Sequence, residues 1–426
     1  MIIKELHQLF LKSKGVCTDT RSLERGQLFF ALKGGNFNGN AYAQQALDGG
    51  ASLAVVDEEE YFLEGKTILV ENALETMQEL AKFHRLYLDI PIIAITGSNG
   101  KTTTKELLHR ILLQQYNCYA TKGNLNNHIG VPLSLLSLTK KHDLAIIEMG
   151  ANHQGEIDAY CQWALPDFGL ITNIGKAHLE GFGGIEGVIK GKTELYRSLA
   201  ERDGLIFYNA EDIILTEQSR LVDERLSYGQ TGKVDYLYTL LDESEFIGIE
   251  VNGLKIQSNL IGQYNGVNMA AAVAIGQYLK VPLKKMKSAL ESYEPDNNRS
   301  QMIKYGDNQV ILDAYNANPT SMMAALSYFE KLDVAKKGVF LGDMFEVGTS
   351  SNDEHQLLVK YLAKSNFDFH VLVGEYFFAQ KDENGLFFKT TEEAKEWFSK
   401  EQFEGYTFLV KGSRGMRMEI ILQKKG

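Results

Sequence analysis

Short apolar runs alternate with amphipathic stretches along nearly the whole chain, and that alternation predicts an α/β protein. Before Pro91, the runs Leu28-Phe29-Phe30-Ala31-Leu32, Leu53-Ala54-Val55-Val56 and Thr67-Ile68-Leu69-Val70 read as strands. A loop rich in Gly and Asn, Gly34 to Asn40, separates the first two, and Leu74 to Leu88 reads as a helix ending ahead of Pro91. From Ile90 a strand-then-helix pattern repeats, with strands expected at Ile92–Thr96, Cys118–Thr121, Leu144–Met149, Gly169–Asn173 and Leu205–Asn209. Several are apolar throughout, as strands covered on both faces should be. Helical crossovers imply a mostly parallel sheet, whose ligands bind beyond the C-terminal strand ends. Residues 233–261 alternate around Val251-Asn252-Gly253-Leu254, which predicts a hairpin. A further α/β pattern follows Arg299, with strands expected at Val310–Asp313, Gly338–Leu341, His370–Val373 and Thr407–Val410. The expected organisation is a small α/β head (1–84), a central mostly parallel-sheet domain (85–298) and a C-terminal Rossmann-like α/β domain (299–426).

A chain of 426 residues is too long for one ordinary core, which agrees with several domains. The formal net charge of −11 argues against a general nucleic-acid or membrane-surface binder, while leaving room for a locally basic pocket. No stretch approaches the ~18 uninterrupted apolar residues of a membrane span. Met1 to Lys14 mixes charged and apolar residues and lacks a signal-peptide core. Cys17, Cys118 and Cys161 are odd in number and lack metal-type spacing, so they read as reduced, mostly buried thiols of a cytoplasmic protein.

Candidate chemistry centres on Thr96-Gly97-Ser98-Asn99-Gly100-Lys101-Thr102-Thr103, between an apolar strand and a helical stretch. Glycines let the backbone approach an anion, amides at a helix start point at it, and Lys101 adds a charge. Thr102 supplies a hydroxyl suited to Mg²⁺. Gly97-x-x-Gly100-Lys101-Thr102 is two residues shorter than the usual phosphate loop. Glu148 closes an apolar strand, where an unpaired charge is costly unless something binds it. It reads as a metal ligand or as an acid paired with a local lysine. His178 is either a ligand or a satisfied loop histidine. Lys192, by spacing alone, is a solvated helix lysine. Asn124, Asn126, Asn127 and His128 suit a polar ligand or a plain Asn-rich turn. Asp313-Ala314-Tyr315-Asn316-Ala317-Asn318-Pro319 follows a strand and could hold a base or ribose, or simply turn the chain. Lys411-Gly412-Ser413-Arg414 could bind a carboxylate or phosphate, or serve capping and surface charge.

Together these segments resemble the Mur ligase family over nearly the whole chain. The short phosphate loop is that family's hallmark. Thr121-Lys122-Gly123-Asn124-Leu125-Asn126-Asn127-His128, Glu148-Met149-Gly150-Ala151 and Thr172-Asn173-Ile174-Gly175-Lys176-Ala177-His178-Leu179-Glu180 match its next motifs. The family's third-domain motif usually opens with two acids; here Leu312 precedes a single Asp313. The resemblance implies an ATP-dependent ligase that joins D-alanyl-D-alanine to UDP-N-acetylmuramoyl-tripeptide through an acyl phosphate, expected to act as a monomer. It makes Thr102, Glu148 and His178 expected contacts of Mg²⁺, with two ions in all. It places Lys192 where the family carries a carbamylated lysine, which could ligate the second Mg²⁺, and assigns catalytic work to Lys101, Lys192, His178 and Glu148. Asn265, Asn268, Arg299, Asp313 and Tyr315 would join Gly97 to Thr103 around ATP. Asp19, Thr20, Arg21 and Ser22 would serve the uridine nucleotide. Asn124, Asn126, Asn127, His128, Asn316, Asn318, Lys411, Ser413 and Arg414 would meet the substrates. Two alternatives stay open: another amide ligase, of a different Mur type or like folylpolyglutamate synthetase, and a non-catalytic nucleotide-binding module.

Overall fold

The computed structural model describes residues 3–241, 246–295 and 299–423. Three parallel or mostly parallel sheets organise the chain. In the head, Val16–Cys17, Leu28–Phe30, Leu53–Val56 and Thr67–Leu69 lie side by side, all parallel. The helix Ala73–Leu88 follows, capped by the Asn72 side chain, which accepts from the amides of Leu74 (3.0 Å) and Glu75 (3.2 Å). It ends at Asp89 in the left-handed region. The expected boundary after 84 falls inside this helix, and the expected boundary at 298/299 touches residues 296–298, outside the described ones.

The central sheet has seven parallel strands, in the order Tyr236–Leu237, Arg225–Gly229, Leu205–Asn209, Phe168–Ile171, Ile92–Thr96, Leu144–Glu148, Cys118–Ala120. The chain runs from Ile92–Thr96 out to the edge strand, returns through Leu144–Glu148, then crosses to the other side, so the order reverses beside Ile92–Thr96. Its strands alternate between two apolar cores. Ala94, Ala145 and Ile147 face one; Ile93, Ile95, Leu144 and Ile146 face the other, beneath the helices Lys101–Leu112 and Gln263–Tyr278. Glu148 continues the face of Leu144 and Ile146, so its carboxylate lies under the first turn of Lys101–Leu112. The expected hairpin is present: Gly248–Val251 and Leu254–Gln257 pair antiparallel through Asn252 and Gly253, both at positive φ.

The C-terminal sheet has six strands, ordered Gln301–Tyr305, Asn308–Asp313, Thr407–Lys411, Lys337–Gly342, Phe369–Val373, Leu386–Phe388; only the first pair is antiparallel. Expected strands fall where apolar runs place them, but two stop two residues short: the run Leu28 to Leu32 is strand only over Leu28–Phe30, and the second is more informative. The strand expected to reach Asn173 stops at Ile171, because Thr172 and Asn173 turn their side chains to the loop after Thr96.

Candidate active site

The switch point of the central sheet and the C-terminal domain enclose a cleft of about 470 Å³. Its floor is the loop Gly97–Gly100 and the start of the helix Lys101–Leu112. Gly97 has φ +140, and a Cβ there would stand 2.0 Å from Thr172 Oγ1; Gly100 has φ +81, and its Cβ would meet Asn268 Oδ1 at 2.6 Å. Both positions therefore require glycine. Neighbouring segments brace the loop. Ser98 N–H donates to Asn173 O (3.0 Å) and Asn99 N–H to Asn173 Oδ1 (3.0 Å). Thr172 Oγ1 and Asn173 Nδ2 donate to Asn99 O at 2.5 and 2.9 Å. The first amides of a helix have no intrahelical acceptor, so this turn offers donors and a positive dipole end to an anion. Lys101 Nζ donates to Gly97 O (2.7 Å) and Ser98 O (3.4 Å). Burial pushes its pKa down to about 8; Glu148 opposes the shift and Arg299 adds to it.

Glu148 is almost fully buried. Its Oε1 accepts from Thr102 Oγ1 (3.1 Å) and Asn126 Nδ2 (2.7 Å). Its Oε2 receives no hydrogen bond, with the Lys105 ammonium 3.5 Å away. The lysine pairing expected from sequence is therefore present, and one carboxylate oxygen receives no hydrogen bond. Among the described residues no three His, Cys, Asp or Glu side chains converge on a metal-sized space.

His178 lines the cleft at positive φ (52°), with its Nδ1 2.5 Å from Glu346 Oε2 of the C-terminal domain. That contact holds the Glu346 carboxyl below the usual range. Lys192, at the end of the helix Ile185–Lys192, is not solvated. Its Nζ donates to Ala151 O (3.2 Å) and lies 5.1 Å above the Phe182 ring. Burial holds its pKa well below the lysine range, Lys101 adds to the shift, and Glu156 and Glu194 oppose it.

From the C-terminal domain, Lys411 Nζ pairs with Asp313 Oδ2 at 2.5 Å. The Arg299 guanidinium lies 3.6 Å over the Tyr315 ring, which can extend a flat face to a planar ligand. Asn318 caps the helix Pro319–Lys331, and its Nδ2 donates across the cleft to Asn99 Oδ1 (2.7 Å). Asn265 and Asn268, hydrogen-bonded to each other at 3.0 Å, also line the cleft, as do Thr103, Asn124 and Asn316.

Other expected residues are placed differently. Asn127 lines the cleft, but its Oδ1 is taken up by the amides of Ile129 and Gly130. His128 does not line the cleft; its carbonyl accepts from Gln78. Ser413 is buried, accepting from the Phe345 amide at 2.9 Å, and exposed Arg414 pairs with Glu419 at 2.9 Å. Neither reaches the cleft, because the chain turns inward after Lys411. Asp19 and Arg21 form an exposed pair in the head, away from the cleft, with Asp19 held down to about 2 by hydrogen bonds from Arg21. Thr20 and Ser22 share that short turn. Sequence reasoning missed Thr172 and Asn173 as braces, Glu346 as the partner of His178, and Lys105. The signal for Lys105 is present: it lies on the core-facing stripe with Leu108 and Leu112, where a lysine needs a partner.

Three family models cover most of the chain: "Mur ligase family, catalytic domain" over residues 12–90, "Mur ligase middle domain" over 95–276 and "Mur ligase, glutamate ligase domain" over 298–414. The chain is 33% identical to the UDP-N-acetylmuramoyl-tripeptide–D-alanyl-D-alanine ligase of Bacillus subtilis, over 96% of this chain and 92% of that one. It is 32% identical to the enzyme of the same name from Escherichia coli, over 98% and 95%. A crystal structure of MurF from Acinetobacter baumannii superposes with a TM-score of 0.86 at 32% identity, covering 97% of each chain. Three successive family models, full-length relatives and a phosphate loop two residues short all agree, and the chain belongs to the Mur ligase family.

Proposed function

We propose that this chain is an ATP-dependent ligase of peptidoglycan precursor synthesis that joins D-alanyl-D-alanine to UDP-N-acetylmuramoyl-tripeptide. Full-length similarity to ligases of that name supports the reading. The observation that carries it is the convergence, in one cleft, of a braced glycine loop, Lys101, the incompletely satisfied Glu148 and the Asp313–Lys411 corner. The tripeptide's terminal carboxylate attacks the γ-phosphorus of ATP, forming an acyl phosphate and releasing ADP. The dipeptide amine then attacks the acyl carbon, phosphate leaves, and the amine loses a proton.

Lys101 and the loop amides bind and orient the phosphates and offset charge gathering on the transferred group. Thr102, Glu148 and His178 would contact Mg²⁺, and Lys192, once carbamylated, would ligate a second ion. Mg²⁺ bound there neutralises phosphate charge and polarises the phosphorus. Lys192, buried and with its pKa lowered by that burial, is the amine that would add CO₂: a nitrogen–carbon bond forms, a proton is released, and a carboxylate-like anion results. A ¹³C resonance from labelled bicarbonate, absent in Lys192→Ala, checks that step independently of turnover. Asn265, Asn268, Arg299 and Tyr315 hold the nucleoside; Asn124, Asn316 and Lys411 approach the incoming substrates; Asp19 to Ser22 take the uridine nucleotide. Residues 1–84, 85–298 and 299–426 divide this labour, as one cytoplasmic chain whose cleft is lined by its own residues. No described helix is long and apolar enough to cross a membrane.

An ADP-release assay over a matrix of UDP-MurNAc-peptides and amine acceptors tests the proposal. Release should require both the tripeptide and D-alanyl-D-alanine. Fast release with neither would overturn it.

A further inference from the structure

Lys105 is fully buried one turn into the helix that follows the phosphate loop, and it does not line the cleft. Its Nζ donates to Thr121 O (2.7 Å), lies 3.1 Å from Glu106 Oε1 and 3.5 Å from Glu148 Oε2. Thr121 also accepts the Glu148 amide on its own Oγ1 (3.0 Å), so one residue positions both the ammonium and the carboxylate. The two Glu148 oxygens are treated unequally. Neutral donors, Thr102 and Asn126, hold Oε1, while Oε2 has the Lys105 ammonium at 3.5 Å and no hydrogen bond. A buried ammonium is expensive, and an apolar side chain at this stripe position would pack against the same core. Its placement therefore calls for a task beyond packing.

We propose that Lys105 is a positioning residue: a built-in counter-cation that holds the Glu148 carboxylate when no metal is bound and weakens the divalent-cation affinity of that carboxylate by occupying its field. This rests on the reading of Glu148 as a metal contact. A cation arriving at Oε2 meets the fixed positive charge of Lys105 behind it, so affinity stays low enough for metal and product to leave together. Removing the charge should leave Glu148 hungry for a cation and the metal-free protein less stable.

The experiment is a Mn²⁺ titration of the full-length protein saturated with ADP, free Mn²⁺ being read by electron paramagnetic resonance against an ADP-only blank. Thermal midpoints with and without Mg²⁺ accompany it. Lys105→Gln should bind Mn²⁺ about tenfold more tightly, melt lower without metal and gain more from Mg²⁺ than the wild type. Lys105→Arg retains the charge and should bind Mn²⁺ like the wild type. Should Lys105→Gln not fold without metal, Lys105→Met refolded in Mn²⁺ carries the same expectation. Equal or weaker Mn²⁺ binding by the neutral variants overturns the proposal, as does tightening by Lys105→Arg. Glu148→Gln separates the two layers. If it weakens Mn²⁺ binding while Lys105→Gln changes nothing, only the Lys105 role fails; if it leaves binding unchanged, the Glu148 assignment and the Lys105 role fail together.

Discussion

The central domain has two joints that differ most beside the cleft, although Ile261 also packs into the apolar core of the C-terminal domain. On the head side, the helix Ala73–Leu88 packs into the apolar core it shares with the helices Gly130–Leu136 and Glu156–Ala164. Its polar contacts are buried: His84 Nε2 lies 3.0 Å from Leu138 O, and Arg85 donates to the carbonyls of Ala164 (2.9 Å) and Leu165 (3.2 Å) and to Asp167 (3.0 Å). On the C-terminal side, the bridges around the cleft are polar and separate. They are Asn318 to Asn99 (2.7 Å), the Lys176 amide to Thr320 (3.0 Å), Lys176 to Glu354 (2.5 Å) and Glu346 at His178 (2.5 Å). An apolar joint opens only at the cost of its buried area, whereas exposed ion pairs and single hydrogen bonds each contribute about 1 kcal/mol or less. The polar bridges beside the cleft are therefore the contacts that open at the smaller cost.

The largest expected effect falls on the head joint. Arg85→Ala orphans two carbonyls at a helix end and should cost about 3 kcal/mol, read from chemical denaturation. If it is neutral, the head joint is not the rigid one. Acid should attack the same joint next. Burial, with His84 adding to it, pushes the His7 pKa down to about 4, and His84 is lowered by burial too. Both are neutral when folded at neutral pH. As pH falls below 6.5 the unfolded chain takes up protons that the folded chain refuses, so the stability contributed by this pair should decline from there towards pH 4. His7→Gln, which can still donate to His84, should flatten that decline.

The polar joint should show smaller effects, and in turnover rather than folding. Asn318→Asp retains the helix cap but loses the donor to Asn99. It should leave the thermal midpoint nearly unchanged and lower kcat by about fivefold, the worth of about 1 kcal/mol. Lys176→Ala should cost less, about 0.5 kcal/mol of closure, vanishing at high salt. Arg414→Ala should change product formation least, within about twofold, because that side chain pairs with Glu419 in solvent. A large loss there would restore Arg414 to the substrate site.

Where burial on both faces dictates composition, sequence and structure agree: Ile92–Thr96, Leu53–Val56 and Leu205–Asn209 start and stop at the expected residues. Short edge strands such as Val16–Cys17, Tyr236–Leu237 and Leu386–Phe388 escape, since runs of two or three residues are too brief to show a periodicity. The phosphate loop is legible because glycine at positive φ has few other uses in that setting. Lys192 is not legible as a buried group, because what covers it, Phe182 and the Ala151 carbonyl, arrives from 10 and 41 residues away. Ser413 and Arg414 carry the right chemistry and the wrong direction: the turn after Lys411 sends one inward and the other to solvent.

The helix that carries Arg85 also has a practical bearing on dissecting the chain. A fragment starting after residue 84 would lack Met77, Leu80 and Ala81, which are fully buried against the central helices in the intact protein. Such a fragment would present a greasy trench where its neighbour used to lie and would precipitate on expression. Moving the cut to the bend ahead of Asn72 keeps the plug with the piece that needs it.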